Sequence, residues 1–295
     1  MNYQEFIDSV VTHVSASVPN GQKVVLQPVT KNNGTTYDGL IIMDPILNIS
    51  PTIYLNPYYH RYLNGVSLED IYKDILDTYY QNAPQKDFDI SLFRDFEKAS
   101  QRIVFKLVNK EKNEELLKDV PYINFQDLAL IFVCMVTDFM HDYATILIHN
   151  QHLALWEVSL DDLYLIALTN TPKLLPHRLE SFENILERTF YKDAPSFQNI
   201  DMYILTNKLK IHGCTCIAYP RLLKRIADFF EDNLIILPSS IHEVLIIPEK
   251  FANADYTMED FQAMITDINE TELTDDEVLS DHAYLYERDT GILSY

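Results

Sequence analysis

His149, Asn150 and His152 fall within four positions in ATILIHNQHLALW, and Ser239, Ser240, His242 and Glu243 fall within five in NLIILPSSIHEVLIIP. Two imidazoles three residues apart at a turn can converge on one proton or ligand. A hydroxyl, an imidazole and a carboxylate are the parts of a nucleophilic relay. Both sets are incomplete as chemistry. A metal site needs a third ligand, and the sequence places none beside the histidine pair, so no metal and no cofactor is expected. Strand alternation puts Ser240, His242 and Val244 on one face and Ile241 and Glu243 on the other, and the glycines of a nucleophile elbow are missing. A hydrolase reading makes His149, His152 or His242 the general base, oriented by Asn150 or Glu243. The architectural reading is the stronger: Asn150 takes a left-handed turn while the histidines fasten strand ends.

Other segments invite the same comparison. His212-Gly213-Cys214-Thr215-Cys216 holds two thiols two positions apart, but without a second thiol pair the reading is packing. Arg102, Lys106, Lys110 and Lys112 could share one solvent face, where neutralising nearby acids is the expected role. Tyr54, Tyr58, Tyr59 and Tyr62, with His60 and Arg61, could stack on a base or sugar, although such tyrosines commonly sit half-buried with the hydroxyl outward. From Asp255 through Asp281 acids are interspersed with apolar residues, which is the pattern of a solvated helix face or of a row imitating phosphates. The sequence has no Walker loop, GxGxxG or HExxH, and six glycines leave little material for nucleotide-cradling loops.

With 44 acidic against 23 basic residues, the formal charge is -21. That field opposes nucleic acid and anionic lipid and favours a basic protein partner. Three cysteines, one of them inside LALIFVCMV, argue against a disulfide framework. The opening MNYQEFIDSVVTHV carries acids where a signal peptide needs bases, and no apolar run reaches the length of a membrane span. A soluble cytoplasmic protein is the expectation.

The periodicities that must position these residues change along the chain. Phe6, Val10, Val11 and Val14 predict a helix over 3 to 16, and Val24 to Val29 and Thr36 to Met43 predict a hairpin turned at Asn33-Gly34. Ser67 and Asp70 open a second helix, Pro84 to Asp89 reads as a linker, and Ile90 to Ser100 resumes as helix. Strands are expected at Ile103 to Val108, Leu128 to Val136, Thr145 to Ile148, Leu153 to Trp156, Met202 to Leu205, Cys216 to Tyr219, Leu234 to Leu237 and Val244 to Ile247. Helices are expected at Glu114 to Lys118, from Ser159 to a stop at Asn170-Thr171-Pro172, at His177 to Phe190, at Arg221 to Phe230 and at Thr257 to Asn269. Thr274 to Glu277 resembles another helix start, ahead of a terminal strand or hairpin. Several connections are too short for parallel crossovers, so an α+β fold with mixed or mainly antiparallel sheets follows, as a module over 1–85 and a main domain over 86–295.

The blocks KNNGTTYDGL, PTIYLN, RIVFKLVN, ATILIHNQHLALW, NTPKLLP, MYILTN and LPSSIHEVLIIP are similar, in that order, to an uncharacterised bacterial family known only as a domain of unknown function. The resemblance covers nearly the whole chain and implies a bacterial source and one contiguous unit, with no activity or site residue attached. LPSSIHEVLIIP also resembles a block of a second uncharacterised bacterial family. The functional expectation is a noncatalytic accessory or regulatory factor binding a basic protein partner. A hydrolase at the histidine turns and a phosphate-mimicking inhibitor of a nucleic-acid enzyme are the alternatives.

Overall fold

The structure, a computed structural model, describes residues 1–84, 87, 91–136, 144–181, 201–252 and 256–295. It is α+β, and the strand pairs among the described residues are antiparallel. Two compact units divide the chain, one over Met1–Leu92 and a second over Phe93–Val136 and Ala144–Tyr295. The stretch read as a linker lies largely outside the described residues.

In the first unit, α1 (Tyr3–Ser17) opens with a capping box. The Asn2 side chain accepts from the Glu5 amide at 2.9 Å, and Glu5 accepts from the Asn2 amide at 3.0 Å. β1 (Lys23–Thr30) and β2 (Thr36–Met43) form the expected hairpin, and Asn33 (φ 58°) and Gly34 (φ 69°) both take the left-handed conformation at its tip. β3 (Thr52–Tyr54) extends the sheet, followed by α2 (Leu55–Leu63) and by α3 (Leu68–Asn82), capped by Ser67. Phe6, Val10, Val14, Leu40, Ile42, Ile71 and Ile75 are fully buried. Their four-residue spacing on the helices and two-residue spacing on β2 put each set on one face. The tyrosine tract is absorbed by this packing. Tyr59 lies 4.9 Å from Tyr3 and 5.3 Å from Phe6, Tyr62 lies 5.8 Å from Phe6, and Lys31 covers the Tyr54 ring at 3.8 Å.

The second unit contains two sheets that share a main apolar core, with three smaller buried clusters beside it. After α4 (Ser91–Arg94) and α5 (Phe96–Ser100) come β4 (Ile103–Asn109), α6 (Glu114–Leu117), β5 (Tyr122–Phe125), β6 (Leu128–Val136) and β7 (Ala144–Leu147). β6, buried along its whole length, pairs with β4 on one side and with β5 and β7 on the other. α7 (Asn150–Trp156) and α8 (Leu160–Leu174) lead into a sheet ordered β13-β12-β10-β11-β9-β8. Its strands are β8 (His177–Ser181), β9 (Tyr203–Asn207), β10 (Leu234–Leu237), β11 (Val244–Pro248), β12 (Tyr284–Tyr286) and β13 (Leu293–Ser294), and the last two helices are α9 (Leu222–Phe230) and α10 (Met258–Thr271). Phe105, Leu130, Phe132, Leu163, Cys214, Cys216, Ile226, Ile236 and Tyr284 belong to the shared core.

Several expectations are overturned. Leu153 to Trp156 is the end of α7 rather than a strand, with Leu153 and Trp156 three apart on the inward face and Leu155 exposed. The stretch begun at His177 is strand β8, because it pairs with β9, and 182–190 lies outside the described residues. Cys216 to Tyr219 falls largely in a buried 3-10 turn, Gly213–Ala218. α8 runs through Pro172 instead of stopping there, and is anchored as Asn170 donates to the carbonyls of Ser100 (2.7 Å) and Ile103 (3.0 Å). The helix expected over Ile90 to Ser100 is broken at Asp95, whose carboxylate caps α5. Thr274 and Glu277 do exchange cap-like bonds, yet no helix follows; the chain instead forms a bridge between Ser240 and Val278.

β4 is the outer strand of its sheet, and its outward backbone groups are met by side chains. The Phe105 amide donates to the Thr171 hydroxyl (3.0 Å) and the Leu107 amide to the Thr215 hydroxyl (3.3 Å), while Asn170 takes the Ile103 carbonyl. Both threonines are fully buried. Hydroxyls here replace the missing neighbouring strand.

Candidate functional site

The first histidine corner is the junction between β7 and α7. The Ile148 amide continues the strand pairing by donating to the Phe132 carbonyl (3.0 Å), after which the backbone turns and the Asn150 amide donates to the Asp119 carbonyl (2.9 Å). At that turn the His149 amide donates to Nδ1 of His152 at 2.9 Å, and His149 Nδ1 lies 2.6 Å from the Asp119 carboxylate. These bonds assign the tautomers of the neutral rings. His152 holds its lone pair on Nδ1 and its proton on Nε2, whereas His149 gives its Nδ1 proton to Asp119 and keeps a lone pair on Nε2. The two Nε2 atoms therefore present opposite characters, which does not suit joint metal ligation. Among the described residues no group of three or more His, Cys, Asp or Glu side chains is gathered for a metal ion.

The rings rest on an aromatic base. Phe93 meets His152 edge-on at 4.7 Å, Trp156 lies 5.8 Å from His152, and the indole N–H donates to the Phe93 carbonyl at 3.0 Å. Burial, reinforced by charge on His149, holds His152 below the usual imidazole range, and Asp119 works against both. His149 and Asp119 form an oriented base of the kind that general-base catalysis uses. Its setting is the surface: the Asp119 side chain is 71% exposed and that of His149 30%. Among the described residues no serine, threonine or cysteine side chain hydrogen-bonds to either ring. Asn150, expected as the orienting group, reaches the Lys118 carbonyl at 3.4 Å instead.

The second corner, between β10 and β11, is a knot of backbone contacts. Ser240 Oγ accepts from the His242 amide (3.0 Å), the Ile241 amide donates to the Glu277 carbonyl (2.9 Å), and the Thr206 hydroxyl donates to the His242 carbonyl (2.9 Å). Gly213 is packed so tightly that an added Cβ would stand 1.9 Å from Thr206 Oγ1. The His242 ring turns to Glu277 at 3.2 Å, not to Glu243, and its hydroxyl neighbour Ser240 bonds its backbone rather than its imidazole. Ser240, His242 and Glu243 therefore do not assemble a relay. Burial alone would raise Glu277, but bonds from the Thr274 amide and hydroxyl and from His242 outweigh it and hold it low.

Beside this knot, burial above all, with the fields of Lys106 and His242, pulls His212 down to about 3. Burial pushes the Cys214 and Cys216 thiols up, so both stay protonated and serve the core. Across the sheet the order runs β7, β6, β4 and then the Gly213–Ala218 turn on the outer edge of β4. Among the described residues the two corners have separate partners, Asp119, Phe93 and Trp156 at the first and Glu277, Ser240 and Thr206 at the second.

The exposed charges are distributed unevenly. On α10, Phe261 and Ile265 face the core while Glu259, Asp260, Asp267 and Glu270 are exposed. Asp255 lies outside the described residues. Of the four basic residues, Lys106 lies within β4 and Lys112 pairs with Asp281 at 3.6 Å. No helix among the described residues is long and apolar enough to cross a membrane.

Asp119 and Glu277 are the partners that the sequence reading misses. Each stands about thirty residues or more from its histidine, beyond the reach of local spacing. A family model described as a family of unknown function (DUF5688) matches residues 3–288. No curated protein and no solved structure matches the chain.

Proposed function

The chain belongs to the DUF5688 family, a family of unknown function, and from that premise we propose that it is a noncatalytic accessory or regulatory factor that binds a basic protein partner. One observation carries this reading. Between Lys250 and Arg288 the sequence has eleven aspartates and glutamates and no lysine or arginine, and α10 exposes four of those acids on the face opposite its buried residues. Such a surface attracts basic segments and repels polyanions, with a reach of about 8 Å at physiological ionic strength.

The test is a titration of a labelled arginine-rich peptide at increasing salt, using the full chain and two triple variants of equal charge. Glu259→Gln with Asp267→Asn and Glu270→Gln should weaken binding well beyond Asp8→Asn with Glu69→Gln and Asp77→Asn. Equal losses in the two variants would reduce the effect to net charge, and salt-independent binding would end the proposal.

A hydrolase reading has one observation in its favour, the carboxylate 2.6 Å from His149 Nδ1. It predicts an ester- or phosphoester-cleaving activity that is lost in both His149→Ala and Asp119→Asn. The phosphate-mimic reading needs an evenly spaced row of acids. On α10 the exposed acids instead form two groups about two turns, roughly 10 Å, apart.

A further inference from the structure

We propose that His152 is an acid-operated latch: protonating its Nδ1 breaks the bond that closes the start of α7 and frees the corner between β7 and α7. Nδ1 accepts the His149 amide at 2.9 Å, and only an unprotonated nitrogen can accept. In the imidazolium both ring nitrogens carry protons, so two donors would face each other and the bond cannot persist.

Residue type sets where this happens. In a capping box the third helical residue that reaches back to the cap amide is ordinarily Glu or Gln. A glutamine would hold that amide at any pH, and a glutamate would release it only in strong acid. A histidine titrates near neutrality.

The surroundings favour the latched form. Phe93 and Trp156 pack against the ring, and His149 stands 5.5 Å away, so a charge there opposes a second charge on His152. Among the described residues Asp119 is the carboxylate whose field favours protonation. On α4 and α5, Asp95 is engaged with the α5 amides and with Lys98 at 3.4 Å, and Arg94 is exposed.

The sign of the effect is fixed by these contacts. The folded ring protonates less readily than a free imidazole, so the open corner binds the proton better than the closed one. The closing bond contributes fully above the ordinary value of 6.5 and is lost as pH falls from there through the lowered folded value.

Nitrogen-15 NMR and amide exchange on the full chain test this. Wild type at about pH 7.5 should show an unprotonated His152 Nδ1 and a protected His149 amide, with protection falling roughly fivefold, the size of a lost cap, at an acid pH where the nitrogen-15 shift reports Nδ1 protonated. His152→Gln should stay protected at both pH values, and His152→Ala at neither. Fluorescence of Trp156, the single tryptophan, should follow the same transition in wild type and not in His152→Gln. A protonated Nδ1 at neutral pH, or parallel loss of protection in wild type and His152→Gln, would overturn the proposal. The first of these readouts needs no variant to fold.

Discussion

Gly213 and Thr206 approach so closely that a β-carbon on Gly213 would stand 1.9 Å from the threonine hydroxyl oxygen, and 2.1 Å from the His242 carbonyl oxygen that the hydroxyl serves. Neither neighbour is the free end of a flexible chain. Gly213→Ala must therefore displace backbone and break a buried bond. Overpacking and the lost hydrogen bond together should lower stability by about 2 to 4 kcal/mol in urea denaturation. A change within about 0.5 kcal/mol, the range of neutral surface substitutions, would contradict the contact.

The hydroxyls on the outer edge of β4 make a second prediction. Thr171→Val and Thr215→Val keep the shape but strip the acceptors from the Phe105 and Leu107 amides. Each should cost about 1 to 3 kcal/mol by chemical denaturation, the penalty of an unsatisfied buried donor. The corresponding serine variants, which restore the oxygen, should lose less.

Tyr284 is fully buried and its hydroxyl donates to Asp127, which also accepts from Ser280 at 2.7 Å. Tyr284→Phe leaves Asp127 partly satisfied through Ser280. Destabilisation of about 1 to 2 kcal/mol is expected, as for loss of one bond to a charged group. Ser280→Ala combined with Tyr284→Phe should cost more than the two single changes added, because the carboxylate then loses both donors.

Acid should weaken the helix starts. The Ser159 hydroxyl and amide hold Asp162 below its ordinary value of 3.8, and the Thr257 amide and hydroxyl do the same for Asp260. A carboxylate lowered in the folded state stabilises above its unfolded value and loses that contribution as pH falls through the folded one. Melting temperatures recorded from about pH 5 to about pH 2.5 should fall less steeply for Asp162→Asn with Asp260→Asn than for wild type. Parallel acid limbs would show that these caps do not link to folding.

Where local pattern and tertiary context agreed, the sequence was readable. The capped helices at Asn2, Ser67, Ser159 and Thr257 and the Asn33-Gly34 turn are specified by residues within a few positions of one another. Leu153 to Trp156 failed as a strand because four apolar residues carry no period, and the deciding bonds come from His152 and from Asp119 across the chain. His177 to Ser181 failed as a helix because β9 offered it a ladder. In the candidate sites the histidines were legible and their carboxylates were not. Asp119 and Glu277 stand 30 and 35 residues from His149 and His242, so only the tertiary fold makes them partners.

The hydroxyl-sealed border of β4 also bears on how the chain survives its own synthesis. β4 and β6, the latter reading LALIFVCMV without a charge, precede Thr171 and Thr215 in the chain and so emerge before the residues that cover the border. During that interval the nascent chain offers other copies an open apolar template. Fragments ending before Thr215 should accumulate as insoluble aggregates, and synthesis of the whole chain should lean on chaperones.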